Sequence, residues 1–349
     1  MKTKPNHQLV AAIALLLTCN LQPPALLAQG SLTPPGPPAP TMKTLAQVEP
    51  RVPISSAPFT ISQPGSYYLT TNLTVSGGDA ITIAANGVTL DLNGFTIAST
   101  TNPASGTAVL IGSGLRNIAI QNGHIQGGVT NNGGVFSGPG FGFGIFHSGS
   151  VPQNVRVSGV SVSGCRFDGT NVGADESTVV ENCVVRTVGG VGIWANTIRG
   201  CVALDCGSTA IQGRQVSESR GESVGGGYGL SAATTAQNCY GSSGNSFGLY
   251  ANTAQNCYGV STSGTGLYAE GTAIACYGDT TTGPRGLYAR NAAFCVGSRP
   301  SGTAIEATIA NGCWAEFGTL LITFKYNMPL AKNLQPETCN LKPSTRIGL

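Results

Sequence analysis

The sequence predicts an all-β, single-domain right-handed parallel β-helix, a solenoid with coils of about 18–20 residues in its C-terminal half. Two ladders carry that expectation. Cysteines recur at Cys239, Cys257, Cys276, Cys295 and Cys313, at intervals of 18, 19, 19 and 18 residues. A second ladder runs in phase through Ile193, Ile211, Leu230, Leu249, Leu267, Leu287 and Ile305, at intervals of 18, 19, 19, 18, 20 and 18. Composition agrees: 50 glycines supply positive φ at turns, and a charged fraction of 9% suits stacked coils covered by Ser, Thr, Asn and Gly. The wander in coil length and the lack of a hexapeptide repeat favour the right-handed form.

The first segment, residues 1–28, reads as a signal peptide. It has a basic start at Lys2 and Lys4, an apolar run from Leu9 to Leu17, and a small-residue cleavage position near Ala28. That run is too short for a permanent membrane span, and no later stretch approaches the roughly 20 apolar residues a span requires. The expected location is secreted, periplasmic or at the cell surface. Residues 29–52 form a Pro-rich linker, in which Met42, Leu45 and Val48 recur at near-helical spacing as a short helix that would cap the first coil.

From Pro53 the signals are those of short strands: Tyr67-Tyr68-Leu69, Ile81-Thr82-Ile83, and Val88 to Ile97 broken by Asn93-Gly94. The run Gln63-Pro64-Gly65-Ser66-Tyr67-Tyr68-Leu69, continuing to Val88-Thr89-Leu90-Asp91-Leu92-Asn93-Gly94, resembles the opening coils of bacterial right-handed parallel β-helix proteins of the pectin-lyase-like class, in an exported branch without assigned activity. The similarity extends to Ile322-Thr323-Phe324-Lys325-Tyr326-Asn327-Met328-Pro329 and so covers most of the mature chain. The resemblance implies the fold, and no catalytic residues come with it.

The solenoid is expected over residues 53–318. Its least regular part lies between Gly127 and Pro152, with Phe136, Phe141, Phe143, Phe146 and His147; solenoids usually carry function on such inserted loops. Beyond it, parity puts each ladder cysteine inside and the next residue outside. The inner residues shrink to Ala236, Ala254, Ala273, Ala292 and Ala310. Residues 319–349 supply a C-terminal closing strand, from Leu320 to Tyr326, and a polar tail.

Eleven cysteines in an exported chain usually imply disulfides. Here equivalent positions lie about 4.8 Å apart with parallel Cβ vectors, so a ladder of buried, unbridged thiols is expected. No Cys-x-x-Cys with histidine partners occurs, and neither a metal nor another cofactor is expected. Formal charge is +3, and loss of Lys2 and Lys4 leaves 16 basic against 15 acidic groups, which gives nucleic acid or anionic lipid no electrostatic purchase. The densest acids, Asp168, Asp175 and Glu176, have Arg166 and Arg186 as candidate partners for lyase or hydrolase chemistry. Stacked ion pairs, Asp168 with Arg186 and Glu181 with Arg199, explain the same residues structurally.

Two tyrosine ladders remain: Tyr240, Tyr258 and Tyr277 after the cysteines, and Tyr250, Tyr268 and Tyr288 after the leucines. They should lie on different outer strips, where tyrosines either bind sugar rings or a partner, or stack on their own neighbours. The expected protein is thus non-catalytic, with a structural or binding role and a polysaccharide or surface component as partner. The alternative is a polysaccharide lyase or glycoside hydrolase. Oligomeric state is not legible.

Overall fold

The computed structural model describes residues 49–327. The leader, the Pro-rich linker with its capping helix, and the tail from Met328, which carry the other two cysteines, Cys19 and Cys339, lie outside the described residues. Within them the chain is a parallel β-solenoid: 28 strands form one sheet, every ladder in it is parallel, and no helix is present among the described residues.

Inward-facing residues stack in unbroken columns, because side chains alternate across a strand while each coil pairs in register with the next. The leucine column extends back through Thr170, Ile145 and Val109 to Ile81, and forward to Leu320. A neighbouring column runs Leu90, Ile120, Val157, Val180, Ile198, Val216, then Ala236, Ala254, Ala273, Ala292 and Ala310. The coils that join the first of these residues are longer than those that join the last. The apolar residues of both columns are buried, except for the half-buried Leu320 at the end.

A third column falls to nothing. It begins Ile97, Ile125, Val162, Val185, Ala203 and continues Gly221, Gly241, Gly259, Gly278 and Gly297. Across from these glycines stand Gly229, Gly248, Gly266 and Gly286, so the two walls meet backbone to backbone. A Cβ at Gly259 or Gly278 would run into the carbonyl of Gly266 or Gly286. This close approach is why the coils of Tyr240, Tyr258 and Tyr277 need glycine in both their Tyr-Gly and Gly-Leu pairs, while in the next coil Gly297 faces the carbonyl of Ala304.

The cysteines have a local task as well as a packing one. All nine described cysteines follow a residue in the left-handed region: Gly164, Asn182, Gly200, Asp205, Asn238, Asn256, Ala275, Phe294 and Gly312. From Gln237 to Asn311 the carbonyl before each such turn accepts a backbone N–H from the neighbouring coil and keeps a second lone pair free. From Cys239 to Cys313 each ladder thiol donates to the carbonyl two residues before it, at 3.1–3.5 Å. Ser219, which interrupts the ladder, does the same at 2.7 Å after Glu218, also left-handed. A small residue with one donor fits that corner, whether thiol or hydroxyl. In a second corner the hydroxyls of Ser243, Ser261 and Thr280 donate to carbonyls at 2.6–2.8 Å and accept backbone N–H groups at 2.8–3.0 Å.

All nine described cysteines are unbridged. Burial pushes the Cys165 thiol up to about 12 and also raises Cys206, so these two are protonated at neutral pH. Alkylation of unfolded, non-reduced protein is therefore expected to label at least nine thiols. Labelling of only one or two would show that neighbouring coils are cross-linked.

The last rung is the strand Trp314–Tyr326, paired in parallel with Val296–Asn311. Leu320 and Ile322 close the inner columns, and the remainder of the strand is mostly exposed.

Candidate functional site

Both tyrosine ladders lie on outer strips, and they differ in geometry. On the strip that follows the cysteines, register sets Arg220, Tyr240, Tyr258 and Tyr277 side by side, with Val296 and Trp314 beyond. The rings are turned against one another: Tyr240 and Tyr258 are 5.4 Å apart at 55°, and Tyr258 and Tyr277 are 4.7 Å apart at 61°. Tilted rings leave parts of their faces open to solvent. The Arg220 guanidinium lies 5.2 Å from the Tyr240 ring and is ion-paired with Glu222, whose hydrogen bond and charge raise its pKa. The Tyr277 hydroxyl donates to Glu316; burial, then that bond, holds its pKa above the usual tyrosine value.

A shallow, solvent-open recess of about 470 Å³ lies along this strip, lined by Glu218, Arg220, Asn238, Tyr240, Asn256 and Tyr258 among others. Its asparagines are the turn residues that precede Cys239 and Cys257. Their side chains form their own ladder, Asn256 donating to Asn238 at 3.2 Å. The recess thus brings together tilted aromatic rings, the Asn238 and Asn256 amides, the Arg220 guanidinium and the Glu218 carboxylate, groups that can stack on and hydrogen-bond a ligand.

The strip that follows the leucines is a closed stack. Tyr250, Tyr268 and Tyr288 are joined by Tyr228 and Phe247 in one near-parallel array, with interplanar angles of 6–17° and centroids 4.5–6.0 Å apart. Arg285 lies over the Tyr288 ring at 5.2 Å and is ion-paired with Glu306. The ring faces cover one another, leaving edges and hydroxyls outward. Tyr250 donates to Glu270, and ionisation would forfeit that bond, so its pKa is pushed up to about 12.

The acids are held by separate partners. Asp168 accepts the Asn171 amide and the Val191 N–H, both at 2.8 Å. Asp175 binds the backbone N–H and hydroxyl of Ser177 in its own turn, which lowers its pKa. Glu176 reaches Arg214 at 3.5 Å. The expected ion pairs differ as well. Register places Arg186 beside Ser163 and Leu204 instead of Asp168, because Asp168 lies past the end of the strand Gln153–Cys165 that Arg186 pairs with. Glu181 stands beside Arg199 in register but forms its ion pair with Arg156 on the opposite neighbour, at 2.7 Å. Arg166 lies over the Phe167 ring.

The irregular insert folds back onto the solenoid. Thr130–Asn132 and Val135–Ser137 make a small antiparallel hairpin, tied by Asn131 to Asp205 at 2.6 Å. Phe136 lies over Gly189 and Gly207, where a Cβ would strike it. Phe143, Phe146 and Phe167 form a cluster of their own, with His147 stacked on Phe146 and its pKa lowered by burial.

Sequence reasoning found both tyrosine ladders and missed Tyr228, Phe247, Arg220, Asn238 and Asn256. The signals were present: Tyr228 and Phe247 each stand two residues before a ladder leucine, and the asparagines directly before ladder cysteines. Among the described residues no group of three His, Cys, Asp or Glu side chains is placed to hold a metal ion, and no helix is long and apolar enough to cross a membrane. Fold and strips together define a parallel β-solenoid with one open and one self-stacked aromatic strip. No protein family, no curated protein and no solved structure matches the chain.

Proposed function

We propose that the chain is an exported, non-catalytic β-solenoid of pectin-lyase-like type that binds a polysaccharide or another hydroxyl-rich surface component along the Arg220–Tyr277 strip. The observation that carries this reading is the tilt of Tyr240 and Tyr258 above the asparagine ladder. It offers ring faces and amide groups at one-coil intervals in a solvent-open recess. The self-stacked Tyr250, Tyr268 and Tyr288 are assigned a structural task on this reading, since sugars dock on ring faces rather than on ring edges. The direct test is a glycan-binding screen of the purified chain with a parallel assay for released reducing or unsaturated ends. Binding without product release is expected, and the double variant Tyr240→Ala/Tyr258→Ala should weaken it about tenfold, at roughly 0.5–1.5 kcal/mol per aromatic contact. Product release abolished by Asp168→Asn would overturn the proposal in favour of a polysaccharide lyase or hydrolase.

A further inference from the structure

The exposed large apolar side chains are distributed unevenly along the solenoid. Fifteen are present among the described residues, and eight of them, Ile274, Phe294, Ile309, Trp314, Phe317, Leu321, Phe324 and Tyr326, belong to the last rungs. Five of these are on the final strand alone, Trp314–Tyr326, which pairs on one side with Val296–Asn311 and has no strand on its other side among the described residues. An unpaired edge with N–H and C=O groups in a row and apolar side chains beside them is a template for another strand.

We infer that this end of the solenoid is an interface with a second copy of the same chain, joined last rung to last rung about a two-fold axis. The occupant follows from what the chain itself has to offer. Its first rung presents strands of three residues, Val52–Ile54 and Phe59–Ile61, with Val52 as its exposed large apolar residue. Head-to-tail stacking would place a 13-residue apolar edge on short strands that match it neither in length nor in polarity. The identical end of another copy matches in both. A two-fold also closes the assembly, where head-to-tail stacking would propagate into a fibre. Two identical edges related by such an axis run antiparallel, so the junction alone departs from the parallel pairing of the solenoid. The edge carries one cation, Lys325, at the end of the alanine column.

The test is the oligomeric state of the full chain by analytical ultracentrifugation over a range of concentrations, beside Leu321→Lys/Phe324→Lys. These two side chains are 53% and 54% exposed and lie outside the inner columns, so the variant should keep the far-ultraviolet circular dichroism of the parent. Twice the chain mass for the parent, with at least a hundredfold weaker self-association for the variant, is expected. Val135→Lys, a control on the hairpin, should associate like the parent. A full chain that stays monomeric at every concentration overturns the inference, and so does a double variant that still dimerises. If a monomeric chain dimerises once residues 328–349 are removed, its own C-terminal segment, and not a second copy, occupies the edge.

Discussion

Replacement of Leu267 by alanine is expected to lower the unfolding free energy by about 2–5 kcal/mol. Leu267 is fully buried, and its column neighbours, Leu249 and Leu287, are locked in register by coils on either side. The hole therefore has little freedom to collapse. Tyr268→Ala, one residue along, removes a ring from the outer stack and should cost about 1 kcal/mol. Urea unfolding of both variants, read as a midpoint shift at unchanged slope, separates the two. Equal losses would mean that the stack holds the coil together as strongly as the core does.

The second large effect is at a residue with no side chain. A Cβ at Gly266 would fall well inside contact distance of the Asp279 backbone and near the carbonyl of Gly286, both fixed by their own ladders. Neither neighbour is a flexible side chain that can swing aside. Gly266→Ala should cost about 3 kcal/mol, at the upper end for overpacking, and should lower the yield of folded protein. Gly244, in the same half of the solenoid, has nothing within 4 Å of a Cβ, so Gly244→Ala should stay within about 0.5 kcal/mol of the parent. A mild effect at Gly266 would show that the two walls can separate.

These contrasts explain which parts of the protein were readable from residues alone. The columns were legible because period and parity are one-dimensional: Leu267 inside and Tyr268 outside follow from counting. The outer strips were legible as positions but not as geometries. Tyr268 stacks on Phe247, contributed by another corner of the coil, whereas Tyr258 turns against Tyr240 and Tyr277. Ion pairs in the longer early coils were misassigned for a related reason. There the spacing between equivalent residues varies, and Glu181 has Arg156 and Arg199 as neighbours on either side. The thiol-to-carbonyl bonds were hidden in plain view. The Asn-Cys pairs are plain in the sequence, but the bond from each thiol back to the carbonyl before the turn emerges only when the left-handed corner is seen.

The inner column that dwindles from Ile97 to Gly297 has a thermal consequence. Heat capacity of unfolding rises with the apolar area released and falls with the polar area released. Early coils, lined by Ile, Leu and Val, bury much of the former; late coils, lined by one leucine with alanines, a cysteine and glycine, bury less, yet carry the same dense backbone hydrogen bonding. The two halves of one solenoid should therefore follow stability curves of different curvature, steep for the N-terminal coils and flat for the C-terminal ones. Cooling weakens the apolar half first, and the glycine-walled half changes least with temperature.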